Sequence, residues 1–248
     1  MTTQMKRLDV VANNVANVNT TGYKKDNVAT QSFSEELMKR LNDPGLTMFG
    51  NAVPIGKITS GVFVDTVFTS YAPGSVRVTD NTFDLAIQGD GFFAVETTES
   101  NGSVGEKYTR DGEFTFAQGR LITRDGSSVL GTDNSAIRIP DAASVVIDDY
   151  GNIYADGEFI NTIKTVDFED KTTLRSTKDN MFVTTADSVF KDMTGVIKQG
   201  ALEASNVISA VEMVDMITIN RAYESNQRAI LAIDSTLARA VNDLGNKK

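Results

Sequence analysis

The chain has 248 residues, enough for one large domain or two medium ones with a sizeable core, and it carries a formal net charge of −9 with neither histidine nor cysteine. The acidic balance argues against nucleic acid as a partner, because phosphates need a basic footprint, and no apolar run approaches the roughly 20 residues that cross a bilayer. The missing imidazole and thiol groups exclude Ser-His-Asp and Cys-His nucleophiles and His/Cys zinc sites.

The first predicted element is an amphipathic helix that starts at the amino terminus and ends near residue 18. Its apolar residues alternate spacings of four and three, as in a coiled-coil seam: Met1, Met5, Leu8, Ala12 and Val15. Asn13 and Asn17 lie off this seam and, with Asn14, are poor helix formers, so we expect them to make polar contacts with neighbouring chains. A helix of this length is marginal alone in water, so its stability must come from packing.

The next segment carries a predicted short second helix and then an extended connection. Leu37, Met38 and Leu41 fall on one face of a helix over residues 34–41, with Ser34 as its cap. The Pro and Gly residues that follow are typical of a connection. We therefore place a domain boundary at residue 60.

Residues 61–190 are predicted to form an internal antiparallel all-β domain, either a small barrel or a sandwich. Phe83, Leu85 and Ile87 alternate with Asp84, Ala86 and Gln88, which indicates one buried and one wetter face. Four Asp-Gly pairs flanked by short apolar runs indicate hairpin turns: Asp90-Gly91, Asp111-Gly112, Asp125-Gly126 and Asp156-Gly157.

A long helix closes the chain, capped by Ser205 or Asn206 and ending near residue 244. Its heptad seam consists of Met216, Ile219, Tyr223, Ile230, Ile233, Leu237, Ala240 and Leu244. Ile217, Leu231 and Val241 are apolar off the seam, which favours burial by several neighbours in a bundle. A terminal helix that lies on the core of its own domain is the alternative.

These elements predict a mixed α and β fold with a discontinuous domain. Residues 1–60 pair with residues 191–248 in a coiled-coil or bundle region, and the β domain lies between them in the chain. Each terminal helix carries an apolar stripe that another helix must cover. We therefore interpret the protein as a subunit of an assembly instead of an enzyme.

Carboxylates remain as candidates for catalysis, as in glycoside hydrolysis. Three acidic clusters sit beside turn residues, where solvated acids are common: Asp148-Asp149, Asp111-Gly112-Glu113 and Glu169-Asp170. The stretches 80–81 and 148–152 lack the alternating oxygen ligands of an EF-hand. We therefore predict no catalytic residue, no metal and no cofactor.

Segments at both ends and in the middle of the chain form a set of motifs. At the front this is residues 8–23, LDVVANNVANVNTTGY. In the middle it is residues 84–93, DLAIQGDGFF, with 108–112, YTRDG. At the back it is residues 205–207, 212–214 and 221–226, which read SNV, EMV and RAYESN. These segments resemble the bacterial flagellar rod and hook family; their order agrees with the family, and together they are highly specific.

The resemblance implies a structural subunit of the flagellar basal-body rod, most similar to the distal rod component, with a proximal rod or hook-type axial subunit as the alternative. It also implies export by the flagellar type III apparatus, location outside the cytoplasm, and helical polymerisation with the terminal helices inside. Other rod and hook proteins would be partners, and ring proteins are a further candidate. The absence of an apolar segment after the first basic residues agrees with this export route.

The predicted assembly interface draws on both terminal helices. It comprises Met5, Leu8, Ala12, Asn13, Val15, Asn17, Met216, Ile217, Ile219, Tyr223, Ile230, Leu231, Ile233, Leu237 and Val241. The resemblance implies a front helix that begins about a dozen residues ahead of Met1, so we expect the 248-residue form to be mainly monomeric or to form small oligomers. Outside the family, a secreted β-domain binding module is the competing interpretation; an exposed aromatic row would favour it, although the chain has no Trp.

Overall fold

The structure is a computed structural model that describes residues 1–34, 36–40, 53–59, 61–98, 104–140, 144–177 and 179–245. It is a mixed α and β fold, with mostly antiparallel strands between one helix at each end, as predicted. The chain divides into two compact units. The first comprises Met1–Ala12, Asn27–Phe68 and Met213–Lys248, and the second comprises Asn13–Asp26 and Thr69–Glu212. The domain boundaries expected at residues 60 and 190 stay a prediction.

The described residues form two α-helices: α1, Thr2–Ala16, and α2, Ser209–Gly245. Both were predicted, but the predicted cap of α2 is wrong. Its first turn is closed by hydrogen bonds from Val211 N and Glu212 N to the carbonyl of Ile208, at 3.0 and 3.1 Å, because the side chain of Asn206 is engaged elsewhere. Within the described ranges, no helix has the length and apolar character needed to cross a membrane.

The described residues of the first unit form four strands: β1, Asp26–Ser32; β2, Glu36–Arg40; β3, Val53–Ile58; and β4, Val62–Thr69. β1 pairs with β4, and β2 pairs antiparallel with β3. The predicted helix over residues 34–41 is therefore wrong. A short apolar run does not distinguish helix from strand, and the backbone groups of 36–40 bond to a partner strand instead. Thr3 Oγ1 ties α1 to β4 through a 2.9 Å hydrogen bond to the carbonyl of Val62.

The described part of the second unit contains sixteen strands and one short 3₁₀ helix, Lys171–Thr173. The strands are β5, Val76–Val78; β6, Leu85–Gln88; β7, Phe92–Thr98; β8, Val104–Thr109; β9, Phe114–Ala117; β10, Arg120–Thr123; β11, Ser128–Val129; β12, Val145–Ile147; β13, Asn152–Ala155; β14, Glu158–Thr162; β15, Thr165–Phe168; β16, Arg175–Ser176; β17, Met181–Val183; β18, Phe190–Lys191; β19, Val196–Gln199; and β20, Ala201–Glu203.

The largest sheet of this unit has the strand order β16-β17-β8-β7-β11-β10-β9, and β15 pairs with both β7 and β18. A three-stranded sheet has the order β12-β13-β14, and β19 and β20 pair with β6 and β5. Side chains of β7 alternate between two cores because both faces of this strand are covered. Phe92 and Ala94 pack with Phe168 and Phe182, whereas Phe93 and Val95 belong to a second cluster around Phe114, Leu121 and Ile137.

Two details of the predicted β region need correction. Asp84 and Ala86 are buried together with Leu85 and Ile87, so β6 has no wetter face there; Asp84 is satisfied by the Thr79 hydroxyl and the Asn81 amide, which donate to it at 2.6 and 2.9 Å.

The Asp-Gly pairs at 125–126 and 156–157 form the hairpins β10–β11 and β13–β14, as predicted. The pairs at 90–91 and 111–112 do not, because β6 pairs with β19 and β8 pairs with β7 and β17.

Candidate functional site at the junction of the terminal segments

The end of α1 meets the start of α2 at Asn14, which is fully buried. Its Nδ2 donates to Glu212 Oε2 at 3.2 Å and to the carbonyl of Asp26 at 2.9 Å. Its Oδ1 accepts from Asp26 N at 3.0 Å and from the hydroxyl of Tyr23 at 3.2 Å. One amide therefore joins both helices to the segment that follows α1.

The charges around this amide are also paired within the chain. Lys25 Nζ lies 2.5 Å from Glu212 Oε1, whose side chain is buried. Burial raises the pKa of Tyr23 to about 12, and the nearby carboxylates of Asp26 and Glu212 add to this shift. Tyr23 therefore stays a neutral hydrogen-bond donor to Asn14 over the physiological range.

Asn206 forms a second amide bridge, just before α2. Its Oδ1 accepts from Lys25 N at 2.7 Å, and its Nδ2 donates to the carbonyls of Ser70 and Ala72 at 2.9 and 3.0 Å. These bonds replace the helix-cap role that the sequence suggested. They hold the segment that enters α2 against the segment that leaves α1.

A buried ion cluster lies next to these bridges and centres on Glu203 in β20. Lys24 Nζ contacts Glu203 Oε1 at 2.6 Å, and a guanidinium nitrogen of Arg110 contacts Oε2 at 3.2 Å. Gly74 N donates to the same carboxylate at 2.8 Å, and Arg110 lies over the ring of Phe92 at 5.3 Å. Burial lowers the pKa of Lys24, whereas the Glu203 carboxylate opposes this shift.

The turn after α1 packs directly on the strand end that carries Arg110. Gly22 has a φ of +63°, and a Cβ atom there would lie 2.4 Å from the carbonyl carbon of Arg110. Thr21 Oγ1 donates to Asp111 Oδ1 at 2.5 Å, and burial raises the pKa of Asp111. The Asp111-Gly112 pair is therefore the docking point for the front segment instead of a hairpin turn.

The acids that were weighed for catalysis have structural partners. Asp148 accepts hydrogen bonds from the backbone N–H groups of Tyr150 and Asn152, both at 2.9 Å. Asp170 caps the 3₁₀ helix by accepting from Thr172 N at 2.8 Å. Within the described residues, no group of three or more acidic side chains is arranged to hold a metal ion.

The predicted assembly residues are mostly accessible in the single chain. On α2 the exposed ones are 45–67% exposed: Ile217, Ile230, Leu231, Ile233, Leu237 and Val241. Met216 and Tyr223 are half-buried, and Ile219 is only 5% exposed. On α1, Met5, Ala12 and Asn13 are exposed, whereas Leu8, Val15 and Asn17 are half-buried. Pairing of the two seams stays a prediction.

The asparagines at the end of α1 and just after it do not share one role. Asn17, which follows α1, donates from its Nδ2 to the carbonyl and to the Oδ1 of Asn13, at 2.9 and 2.7 Å. The expectation that Asn14 contacts a neighbouring chain is wrong, because its amide is saturated within its own chain.

Sequence reasoning missed Lys24, Arg110, Glu203 and Glu212 as members of this junction. The signal that could have identified Glu203 was its local sequence. Glu203 stands between Ala201-Leu202 and Ala204, and a lone charge in an apolar run indicates a buried partner.

Three family models match the chain at its front, middle and back. They are the flagella basal body rod protein over residues 1–24, the flagellar hook protein FlgE/F/G D1 domain over residues 86–155, and the flagellar basal body rod FlgEFG protein C-terminal over residues 198–244. The junction draws a residue from each match: Asn14, Arg110 and Glu203.

Named relatives align over nearly the whole chain. The flagellar basal-body rod protein FlgG of Bacillus subtilis strain 168 is 34% identical, over 95% of this chain and 92% of its own. The flagellar basal-body rod protein FlgF of Caulobacter vibrioides is 36% identical, over 90% of this chain and 85% of its own. The flagellar hook-basal body complex protein FlhO of Bacillus subtilis is 26% identical, over 99% and 95%. The chain therefore belongs to the flagellar basal-body rod and hook family, and it is a structural component of the flagellar basal body instead of an enzyme.

Proposed function

We propose that this chain is an axial subunit of the flagellar rod that polymerises helically through its terminal helices, at the distal position. The observation that carries the proposal is the surface of α2. This helix has 37 residues, and its large apolar side chains between residues 230 and 242 are exposed in the single chain. Fully burying one such side chain stabilises by about 1.5–3 kcal/mol, so an unpartnered row of this size favours a protein interface.

The junction supports an assembly role because it holds the end of α1 against the start of α2. α1 ends and α2 begins at one hydrogen-bonded site, where Asn14 and Glu212 meet. Neither helical segment can therefore shift along the other at this point without breaking buried bonds, each costly to lose. A fixed contact between the end of α1 and the start of α2 makes this part of every subunit alike, which a regular polymer requires.

The distribution of apolar residues on α2 suits a polymer that does not close. A helical filament needs heterologous contacts, in which one surface of a subunit meets a different surface of the next. The seam residues Ile230 and Leu237 supply one surface, and the off-seam residues Leu231 and Val241 supply another.

The position along the rod rests on the motif resemblance. Relatives named FlgG and FlgF both align over at least 85% of their own length, so overall similarity keeps the proximal rod, or a hook-type position, as the alternative. Other rod and hook proteins, and ring proteins, are the proposed partners besides the chain itself. Delivery by the flagellar export apparatus is part of the same proposal.

Electron microscopy and light scattering of concentrated protein test the proposal. We expect small oligomers from the concentrated wild-type chain and their loss in a variant with Ile217→Lys and Leu231→Lys. The matched control carries Val104→Lys and Val189→Lys, which add the same charge at exposed apolar positions of the second unit. Equal assembly of all three proteins would contradict a role for α2.

A further inference from the structure

Two arginines lie directly opposite each other on neighbouring backbone segments of the second unit. Arg120, the first residue of β10, and Arg138 form an antiparallel bridge. One flanking hydrogen bond runs from Leu121 N to the carbonyl of Ile137, at 3.2 Å. The other runs from Ile139 N to the carbonyl that precedes Arg120, at 3.1 Å. This pattern makes the arginines a non-hydrogen-bonded pair, in which the two side chains share one face and approach most closely.

The pairing of the two arginines is unfavourable in the chain alone, because like charges directly opposite each other are destabilising. Their neighbours Leu121, Ile137 and Ile139 are buried, so the arginines lie on the outer face of the strands, and both are exposed. Neither forms an ion pair with any residue that the structure describes. Two guanidinium groups on one face are therefore available to an anion.

Both arginines line a cavity of about 400 Å³. The other lining residues are Glu96, Ser135, Ala136, Ile160 and Asn161. Ala136 and Ile160 are apolar and half-buried. A few charged groups beside apolar walls are typical of a small-molecule site. The cavity therefore combines a pair of cations with apolar surface for a short carbon chain.

Two carboxylates limit the charge of an anion that fits this cavity. Glu96 belongs to the lining. Asp133 is held by two other lining residues, because it accepts hydrogen bonds from the Ser135 hydroxyl at 2.6 Å and from the Asn161 amide at 3.2 Å. Both acids repel an anion of higher charge, such as phosphate, more strongly than a monoanion. A carboxylate carries a single charge, and its two oxygens match the planar guanidinium group.

We propose that the cavity is a binding site for an aliphatic carboxylate. The carboxylate oxygens bind between Arg120 and Arg138, and the carbon chain packs on Ala136 and Ile160. Because the ligand removes the repulsion between the arginines, its binding stabilises the folded chain. A free short-chain carboxylate and the side chain of a glutamate in another protein both present this chemistry. The inference goes beyond the proposed function and uses no residue of α1 or α2.

Nuclear magnetic resonance and thermal melting of the dilute full chain test the site. The probes are butyrate and a blocked Gly-Glu-Gly peptide, with the ionic strength held constant by chloride. We expect saturable shifts of the arginine Nε–H signals and a melting temperature that rises with probe concentration. Arg138→Gln should weaken binding about tenfold. Arg175→Gln removes the same charge at an exposed strand position and should bind like wild type.

Further measurements separate ligand binding from a structural role of the arginines. Arg120→Lys keeps the charge but loses the planar guanidinium group, so it should weaken binding while its melting temperature without a probe stays near that of wild type. Glu96→Gln removes an opposing carboxylate and should strengthen binding. Without a probe, Arg138→Gln should melt at a higher temperature than wild type, because it relieves the repulsion from Arg120.

The two probes distinguish the sources of the carboxylate. Tighter binding of the peptide supports a glutamate of another protein as the ligand, and tighter binding of butyrate supports a free molecule. The inference is overturned if the wild-type chain binds neither probe, if both arginine variants bind like wild type, or if phosphate binds more tightly than butyrate. Because the titration uses dilute protein, a failure of assembly through α2 leaves its result unchanged.

Discussion

Asn14 of α1 donates a hydrogen bond to Glu212 of α2 at 3.2 Å, although 198 residues separate them in the chain. Both side chains are buried. The family models at the front and the back of the chain each contain one of these residues. The two end motifs that carry the family resemblance therefore hold each other within a single subunit.

The first prediction concerns that amide. Asn14→Ala removes four hydrogen bonds and leaves buried polar groups unpaired, so we expect the free energy of unfolding to fall by about 1–3 kcal/mol. Asn13→Ala is the control, because it makes the same substitution at an exposed neighbour and gains the same helix propensity. Urea unfolding measures both. Equal midpoints for the two variants would show that the buried amide does not stabilise the junction.

The close approach of Gly22 to Arg110 gives the second prediction. Gly22→Ala places a Cβ atom 2.4 Å from a backbone carbon at positive φ. Gly119 also has positive φ, +75°, but a Cβ there meets no atom within 4 Å. We expect Gly119→Ala to cost only the conformational strain, about 1–2 kcal/mol, and Gly22→Ala to cost a further 1–3 kcal/mol or so because backbone must move. Unfolding curves that coincide for the two variants would contradict this steric contact.

Asp111 gives a prediction with a pH dependence. Burial raises its pKa in the folded state, so its ionised form is disfavoured in the fold at neutral pH, and this penalty disappears when the pH falls below the unfolded pKa of about 3.9. Asp111→Asn keeps an oxygen acceptor for Thr21 and for Glu113 N. We expect the variant to be more stable than wild type near pH 7 and the difference to shrink toward about pH 4.

Urea midpoints of the two proteins across this range measure that difference, and Asp125→Asn in an exposed turn is the control. A wild-type chain that is more stable near neutral pH, or a difference that does not change with pH, would refute the role of burial at Asp111.

Tyr23 gives a prediction about the stability of the protein at alkaline pH. Its folded pKa of about 12 lies above the usual value of 10.0, so the folded state retains a proton that the unfolded chain loses, and stability falls as the pH rises between these values. Tyr23→Phe should be less stable than wild type at pH 8, because it loses the hydrogen bond to Asn14, yet its stability should fall less steeply above pH 10. Parallel profiles would contradict the assignment, and Tyr150→Phe at an exposed position is the control.

The sequence predicted those parts of the fold that depend on local pattern. The heptads indicated the two helices, and Asp125-Gly126 and Asp156-Gly157 indicated hairpins, since each signal is complete within a few residues. The strand Glu36–Arg40 was not predictable in the same way. Its partner, Val53–Ile58, lies beyond the window in which periodicity is read.

The junction could not be predicted from local patterns either, because its contacts join residues that are far apart in the chain. Asn14 is an unfavourable helix residue whose compensation comes from Glu212 and Asp26, and pairing over that separation leaves no periodic trace. The exposed apolar residues of α2 were predictable, because their excess over one helix face is a local property.

The measurement that tests the axial-subunit account most directly compares two isoleucines of α2 by light scattering and urea unfolding. Ile219 is 5% exposed and Ile230 is 45% exposed. The account predicts that Ile230→Asp keeps the stability of the wild-type subunit but loses its concentration-dependent assembly, whereas Ile219→Asp loses subunit stability, because it buries a charge without a partner. An Ile230→Asp subunit that assembles at the wild-type concentration would contradict the account.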